Sequence, residues 1–431
     1  MEQKIYDSFI RILKKELMPA LGCTEPIALA YASAKAREIL GKMPEKLTVT
    51  CSGNIIKNVK GVVVPATGGL RGIEAAALVG AVGGDASKEL EVLCSVTDED
   101  RAKVKELLEQ HICQVKISDS KAKLHIIVEM EAGEDSSLVE LIHSHTEIVR
   151  MMKNGQALLK RSYSENAGDE EEEEYRFLNM ENIYRFANEV NTEDVKEILD
   201  PQISYNSKIA EEGLREVYGA NVGKTLVEVY GKSFEVMAKA LPAAGSDARM
   251  SGCELPVIIN SGSGNQGMTV SLPVIACARE LGADEEKRYR ALCISNLTAL
   301  YQKRDIGRLS AYCGAVSAGC GSGAGIAWLY GRHKDPQALL KDVSHTIVNA
   351  LAVDSGIVCD GAKASCAAKI ASAVDAGILG FTMYQHGQQF RGGDGIITKG
   401  VEETIRNIGL LATQGMRETD REILDIMTTR C

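Results

Sequence analysis

Glycine, alanine and serine crowd the C-terminal half of this chain, and that crowding limits the folds that the chain can adopt. These small residues dominate from about residue 311 to residue 380, while aromatic residues make up 5% of the chain and include a single Trp328. Helices made of small residues can approach each other closely. The stretch therefore predicts a buried helical core, either packed tightly with no ligand or arranged around a compact inorganic group.

Periodicity along the rest of the chain predicts an α+β fold. Nearly every segment from Arg176 onward has helical spacing, and MEQKIYDSFIRILKKEL at the start forms an amphipathic stripe. Between these two regions, one charged helix lies among several short apolar runs that we interpret as strands. The first of these predicted strands is LEVLCSV (90–96). We expect a discontinuous, mostly helical domain formed by residues 1–85 and 176–431. A small α+β domain at residues 86–153 is inserted into it, and an acidic linker follows at residues 154–175.

The charge of the chain argues against a nucleic-acid partner. The net charge is −10, and six negative charges belong to one acidic run, Asp169 to Glu174, so no basic face is left for a phosphate backbone. The sequence has no run of 18 or more strongly apolar residues, so it does not predict a membrane span. We expect a cytoplasmic homo-oligomer, taken as a dimer, that acts on a small molecule.

Three of the twelve cysteines lie among the small residues. In a reducing compartment, Cys320 in AGCGSGAG and Cys359 and Cys366 in VCDGAKASC are better interpreted as metal or cluster ligands than as disulfides. Glycines on both sides of Cys320 free the backbone to approach a bulky inorganic group. Cys313, seven residues earlier, is a rival ligand.

The spacing of Cys359 and Cys366 requires a break in the helix. Seven residues of unbroken helix rise about 10.5 Å, too far for two ligands of one small cluster. Asp360 and Gly361 provide a break, so we predict a loop that runs into a helix near Ala364. Two buried structural cysteines are the alternative. The terminal Cys431 either reaches an open iron as a displaceable fourth ligand or has no role.

Cys23 lies at the predicted start of a helix in LGCTEPIALAYASAKAREIL. Thr24 is a candidate cap, and Pro26 is tolerated in the first turn. Because the helix dipole favours a thiolate, we expect a lowered pKa for Cys23.

A loop rich in Gly, Ser and Asn precedes an apolar helix in INSGSGNQGMTVSLPV (259–274). It lacks the P-loop and dinucleotide spacings, so we interpret it as a carboxylate-binding loop, with a plain helix-start turn as the alternative. The candidate substrate-binding residues are Ser261, Ser263, Gly264 and Asn265, with Asn54 and Lys57 in SGNIIKN as lesser candidates. His143 and His145 have no apparent third ligand, so we interpret them as surface or strand-pairing residues.

Six motifs occur in one order along the chain: LGCTEP, SGNIIKN, PATGG, SGSGNQG, AGCGSGAG and CDGAKASC. With them the chain resembles the L-cysteine desulfidase family, which is related to the α chain of iron-sulfur L-serine dehydratases. The resemblance implies an oxygen-sensitive 4Fe-4S lyase whose helical domain is catalytic and which converts L-cysteine to hydrogen sulfide, pyruvate and ammonia. In that family Cys320, Cys359 and Cys366 match the cluster ligands, and Cys23 matches the proposed catalytic proton acceptor.

Three other functions stay open at this point. L-serine, or another β-substituted amino acid, could be the substrate of the same cluster, although the short gap between the last two cysteines favours the desulfidase branch. Pyridoxal phosphate bound to Lys303 or Lys363 could support an elimination instead. A non-enzymatic cluster sensor is the third possibility.

Overall fold

A computed structural model of the protein describes residues 1–164 and 173–429. Part of the acidic run, and Cys431, lie outside the described residues. The α-helices are α1 Gln3–Glu16, α2 Thr24–Leu40, α3 Gly53–Val59, α4 Ile73–Gly83, α5 Asp98–Glu109, α6 Met180–Glu189, α7 Glu193–Arg215, α8 Val222–Tyr230, α9 Phe234–Met250, α10 Gly264–Glu280, α11 Glu285–Ile306, α12 Gly314–Gly331, α13 Pro336–Asp354, α14 Cys366–Gln385, α15 Gly400–Leu410 and α16 Arg417–Thr429. The strands are β1 Pro19–Leu21, β2 Lys46–Cys51, β3 Cys113–Ile117, β4 His125–Ala132, β5 Asp135–Ile142, β6 Ile148–Lys153, β7 Gln156–Lys160 and β8 Pro256–Ile258.

The helical body is centred on α12, which packs against α10, α11, α13 and α14. Small residues make this packing possible. A Cβ atom added at Gly319 would lie 2.3 Å from the carbonyl oxygen of Ala373 in α14, and one added at Gly323 would lie 2.9 Å from the Cα of Gly377. The fold is therefore α+β with a core of closely packed small-residue helices, as the composition predicted.

Helix α14 is the one described helix that is long and apolar enough to cross a membrane by length and composition. It packs against α9, α12 and α13 in the helical body. Of its apolar window, 44% is buried inside the structure.

A six-stranded sheet forms the second layer. Its strand order is β3-β2-β4-β5-β6-β7, with β2 and β3 parallel and the other neighbours antiparallel. Helix α2 packs on β4 and β5, and the Ser137 hydroxyl donates a hydrogen bond to the Ala36 carbonyl oxygen across this contact. The packing of α2 on the sheet thus brings the start of α2, where Cys23 lies, near the turn between β5 and β6.

The sheet draws on residues on both sides of the predicted inserted domain. Strand β2 precedes that domain in the chain, and β7 lies within the segment predicted as a linker. The strand predicted at residues 90–96 is wrong: Ala86–Glu91 form a 3₁₀ helix, followed by turns in which Val92 and Leu93 are buried. A short apolar run indicates burial but does not by itself distinguish a strand from buried turns.

Candidate active site

One cavity collects the chemically reactive side chains of the protein. It is lined by the start of α2, by Asn58 in α3, by His145 in the turn between β5 and β6, and by Arg249 near the end of α9. The loop before α10, the end of α11 and the loops that lead into α12 and α14 complete its wall. Cys23, Cys313, Cys359 and Cys366 all face this cavity.

Cys313 and Cys359 are brought together by a short piece of antiparallel pairing. Tyr312 and Val358 form an isolated β-bridge, the Cys313 N–H donates to the Ile357 carbonyl (3.1 Å), and the Cys359 N–H donates to the Ala311 carbonyl (2.6 Å). The two thiols lie close enough for each to shift the pKa of the other. Backbone pairing therefore fixes the separation of the two sulfur atoms.

The environment favours a thiolate at Cys359. The neighbouring Cys313 thiol, the Lys57 ammonium and the Gly361 N–H together lower the pKa of Cys359 against the effect of burial. The neighbouring Cys359 sulfur and burial raise the pKa of Cys313. Of the pair, Cys359 is therefore the sulfur that ionises first.

Cys366 is the first residue of α14, after the predicted loop. Gly361 makes the break with a φ of +93°, and a Cβ atom there would lie 2.3 Å from the Lys57 carbonyl oxygen. Lys363 and Lys369 both pair with the Asp360 carboxylate, and Lys369 Nζ also donates to the Val358 carbonyl oxygen at 2.6 Å. The loop that carries Cys359 and Cys366 is thus held at several points.

Cys320 does not reach the cavity. It lies inside α12 and is buried, and it interacts electrostatically with Asp354 in α13 and with Tyr312, which does line the cavity. The glycines around it serve close helix packing, whereas Cys313 caps the start of α12 and faces the cavity. Because Cys313 lines the cavity and Cys320 does not, we propose Cys313 in place of the predicted Cys320 as the third ligand.

Cys23 lies at the start of α2, as the sequence predicted, but the N-cap residue is Cys23 and not Thr24, and the expected lowering of the Cys23 pKa is wrong. Burial and the neighbouring Glu25 carboxylate raise the pKa of Cys23 well above its ordinary value, and the positive charge of Arg249 only partly opposes them. The Cys23 thiol donates a hydrogen bond to Glu25 Oε2 at 3.1 Å. Desolvation in a closed site outweighs the helix dipole here.

Glu25 links Cys23 to two further polar side chains. Its Oε1 accepts a hydrogen bond from Asn58 Nδ2 (3.3 Å) and lies 4.0 Å from His145 Nε2. Burial lowers the pKa of His145 to about 4, so the imidazole is neutral near pH 7, and its Nε2 has no hydrogen-bond partner. Glu25 adjoins Cys23 in the LGCTEP motif, but nothing in the spacing pointed to His145.

The interpretation of His145 as a surface or strand-pairing residue is wrong, because the turn between β5 and β6 directs it into the cavity. His143 does not line the cavity, and its Nε2 is hydrogen-bonded to the Ser164 carbonyl oxygen at 2.6 Å.

The predicted carboxylate-binding loop forms a further part of the wall. Ser263 caps α10 by accepting a hydrogen bond from the Gln266 N–H at 3.4 Å, and Ser261 and Asn265 also line the cavity. Gly264 does not line it but packs against Arg249, since a Cβ atom at Gly264 would lie 2.5 Å from Arg249 Nε. The sequence offered one signal for Arg249, a cation near the end of an alanine-rich helix.

The two lesser candidates lie behind the wall. Lys57 is 2% exposed, pairs with Asp420 of α16 at 2.6 Å, and donates to the Cys359 carbonyl oxygen at 3.4 Å. The Oδ1 of Asn54 is buried with no hydrogen-bond partner. Neither residue lines the cavity, and Lys57 instead holds the loop that carries Cys359 by its hydrogen bond to the Cys359 carbonyl oxygen.

The residues present fit an iron-sulfur cluster better than a single metal ion. Within residues 1–164 and 173–429, no three His, Cys, Asp or Glu side chains converge on one ion. A cluster makes no such demand, because each thiolate binds a different iron atom. Lys57, Lys303 and Lys369 surround the cysteines, and these cations suit the negative charge of thiolate-bound iron and sulfide.

Comparison with known proteins agrees with this geometry. The family that the chain matches indicates a lyase-type enzyme. Residues 87–425 match the serine dehydratase alpha chain family, and the chain belongs to that family, which is related to iron-sulfur serine dehydratases.

Several relatives span the whole chain. A UPF0597 protein of Lachnoclostridium phytofermentans is 57% identical over 423 residues, covering 98% of this chain and 100% of the relative. A UPF0597 protein of Desulfitobacterium hafniense is 54% identical over 430 residues, covering 100% and 98% respectively. One of Finegoldia magna is 47% identical over 422 residues, covering 97% and 99%.

Proposed function

We propose that this chain is an iron-sulfur lyase that catalyses the α,β-elimination of L-cysteine to hydrogen sulfide, pyruvate and ammonia. The observation that carries the proposal is that Cys313, Cys359 and Cys366 line one cavity together with Cys23 and the loop before α10. We also expect the enzyme to work in the cytoplasm, as a homodimer.

In this proposal Cys313, Cys359 and Cys366 hold a 4Fe-4S cluster. When bound, the cluster supplies a Lewis-acidic iron that stabilises negative charge developing on the substrate. Cys313 caps α12 and Cys366 begins α14, so the positive ends of two helix dipoles lie at the ligands. The ammonium groups around the cysteines add to that field and favour deprotonated thiols.

Cys23 is the proposed acceptor of the α-proton. Its thiol donates to Glu25 Oε2, so Glu25 is positioned to take the thiol proton and leave a thiolate facing the cavity; the raised pKa of Cys23 opposes this transfer and the positive charge of Arg249 favours it. Asn58 donates to the other oxygen of Glu25 and holds the carboxylate in place. After proton transfer from the substrate Cα, Cys23 is a thiol again.

The remaining steps need little from the protein. Loss of hydrosulfide from the β-carbon leaves aminoacrylate, which tautomerises to an imine and is hydrolysed to pyruvate and ammonia. The hydroxyls of Ser261 and Ser263 and the amide of Asn265 would orient the polar end of the substrate.

L-Serine is the second candidate substrate, and the family match favours it as an alternative. A pocket separates a hydroxyl from a thiol only modestly unless a hydrogen bond is built for one of them. The two substrates therefore have to be compared directly.

The test is to isolate and reconstitute the protein without oxygen, measure iron and acid-labile sulfide, and assay L-cysteine and L-serine side by side. We expect a broad absorbance bleached by dithionite, and pyruvate with sulfide from L-cysteine at the higher kcat/KM. A higher kcat/KM for L-serine would make the protein a dehydratase. A discrete band shifted by L-cysteine would indicate pyridoxal phosphate, and a loaded cluster without product would indicate a sensor.

A further inference from the structure

We propose that Arg249 binds the α-carboxylate of the substrate, which makes a free carboxylate the feature that the site selects. The inference rests on the proposed function in one respect only, namely that the ligand of the cavity is an amino acid. It assigns the main anion contact to a helix residue outside the loop that the sequence indicated.

Arg249 is a buried cation whose counter-ion is missing. The residue is 2% exposed, and its Nε and Nη2 atoms have no hydrogen-bond partner. In the part of the chain that the structure describes, no carboxylate lies within ion-pair distance of its guanidinium. A buried charge is costly unless it is paired and hydrogen-bonded, so these free donors indicate an anion that enters from outside.

The free donors are the pair that a carboxylate needs. Nε and Nη2 form one edge of the guanidinium and can donate two parallel hydrogen bonds to the two oxygens of a carboxylate. The third nitrogen, Nη1, donates to Asn265 Oδ1 at 3.2 Å, which fixes the plane of the group. The residue is therefore oriented before a ligand arrives.

The surrounding packing is built to admit this side chain. A Cβ atom at Gly264 would lie 2.5 Å from Arg249 Nε and 2.8 Å from its Cζ, so only glycine leaves room for the guanidinium there. Arg249 lines the cavity together with Cys23, and its charge acts on that thiol. An amino acid held here by its carboxylate would lie in the same cavity as the proposed proton acceptor.

A second explanation is that Arg249 serves only to balance the charge of the cluster. The two roles differ in their effect on ligand binding. If Arg249 only balances the charge of the cluster, replacing it should not change the preference for a ligand with a free carboxylate. The experiment therefore uses L-alanine, which has no β-leaving group and cannot react, and L-alaninamide, which lacks the carboxylate charge.

Binding of each ligand is measured by anaerobic calorimetry on reconstituted wild-type protein and on the Arg249→Met, Arg249→Lys and Arg101→Met variants. Arg101 is the control, since it pairs with Asp98 and Glu254 away from the cavity. We expect wild type and Arg101→Met to bind L-alanine about 100-fold more tightly than L-alaninamide, the size expected for a buried charge pair. The preference should fall to a few-fold in Arg249→Met and recover partly in Arg249→Lys.

Two results would overturn the inference: an Arg249→Met protein that keeps the wild-type preference, or a wild type that has none. Circular dichroism and iron content show whether Arg249→Met is folded and loaded. If Arg249→Met is not folded and loaded, Gly264→Ala is measured in its place. The added methyl group displaces the Arg249 guanidinium while the positive charge stays in the chain. An unchanged preference for L-alanine over L-alaninamide in Gly264→Ala then counts against the inference. Failure to turn over both L-cysteine and L-serine, with an Arg249-dependent preference for L-alanine, refutes the lyase proposal and supports the role of Arg249.

Discussion

Cys313 and Cys359 flank the antiparallel bridge between Tyr312 and Val358, and each thiol shifts the pKa of the other. This bridge joins the loop before α12 to the loop before α14, and Cys366 follows at the start of α14. Three sulfurs thus reach one cavity from two loops that are distant in sequence.

Gly361 is the hinge of the cysteine loop, and Gly361→Ala should disrupt it. The added methyl group would meet the Lys57 carbonyl oxygen at 2.3 Å, and the φ of +93° is itself unfavourable for alanine. We expect a loss of about 1–3 kcal/mol in the free energy of unfolding, with lower iron content after reconstitution. Gly356→Ala is the matched control, because it has open space and no positive φ. Equal iron content and equal melting temperatures in the two variants would contradict this role.

The Lys57–Asp420 pair ties α16 to the back of the cysteine loop. Asp420→Asn would leave the Lys57 ammonium buried without its carboxylate. Because Asp420 is itself partly exposed, we expect a loss of about 1–3 kcal/mol in the free energy of unfolding, below the full cost of breaking a buried pair. Chemical denaturation measures it, with Glu418→Gln in the exposed Glu418–Arg421 pair as a control expected to change little. If the free energy of unfolding falls no more in Asp420→Asn than in Glu418→Gln, the Lys57–Asp420 pair does not stabilise the fold.

Cys23 should matter for turnover but not for the cluster. In Cys23→Ala we expect iron and acid-labile sulfide at wild-type levels and a fall of about 100-fold or more in kcat, as for removal of a general base. Cys277→Ala, at a buried cysteine of α10 outside the cavity, is the control and should retain turnover. Near-wild-type turnover in Cys23→Ala would assign the proton transfer to another group.

The sheet contains a carboxylate whose ionisation stabilises the fold. Burial alone would raise the pKa of Glu140, but hydrogen bonds from His125 (2.8 Å) and Tyr163 (2.6 Å) and the charge of Arg150 lower it to about 2. A carboxyl group with a lowered folded-state pKa stabilises the fold above its ordinary pKa and loses that contribution as the pH falls. The stability of the wild type should therefore drop between pH 4.5 and pH 2.

In Glu140→Gln this part of the pH dependence should be weaker, and stability at pH 7 should fall by about 1–3 kcal/mol because Arg150 loses its partner. Acid titration followed by circular dichroism measures both effects. Coinciding acid-unfolding curves for the two proteins would exclude the proposed contribution.

The local features of the fold could be predicted from the sequence, because short-range chemistry determines them. Pro26 lies in the first turn of α2, Gly361 breaks the helix before Cys366, and Ser263 caps α10, all in accord with cap and turn preferences. The close packing of α12 on α14 followed from the abundance of small residues.

Features that depend on contacts between distant segments could not be predicted in this way. Cys313 and Cys320 both lie among glycines, and the choice between them depends on where α12 begins and on its bridge to Val358. His145 reaches the cavity only because a turn between two strands packs against the start of α2. The pKa of Cys23 depends on how deeply the helix start is buried, which the dipole argument leaves out.

The most direct test of the central claim is to compare iron and acid-labile sulfide in Cys313→Ala and Cys320→Ala after anaerobic reconstitution. The geometry predicts that Cys320→Ala retains wild-type iron and sulfide, since its sulfur is buried inside α12, and that Cys313→Ala loses most of both. A full cluster in Cys313→Ala together with an empty Cys320→Ala would contradict the ligand set of Cys313, Cys359 and Cys366.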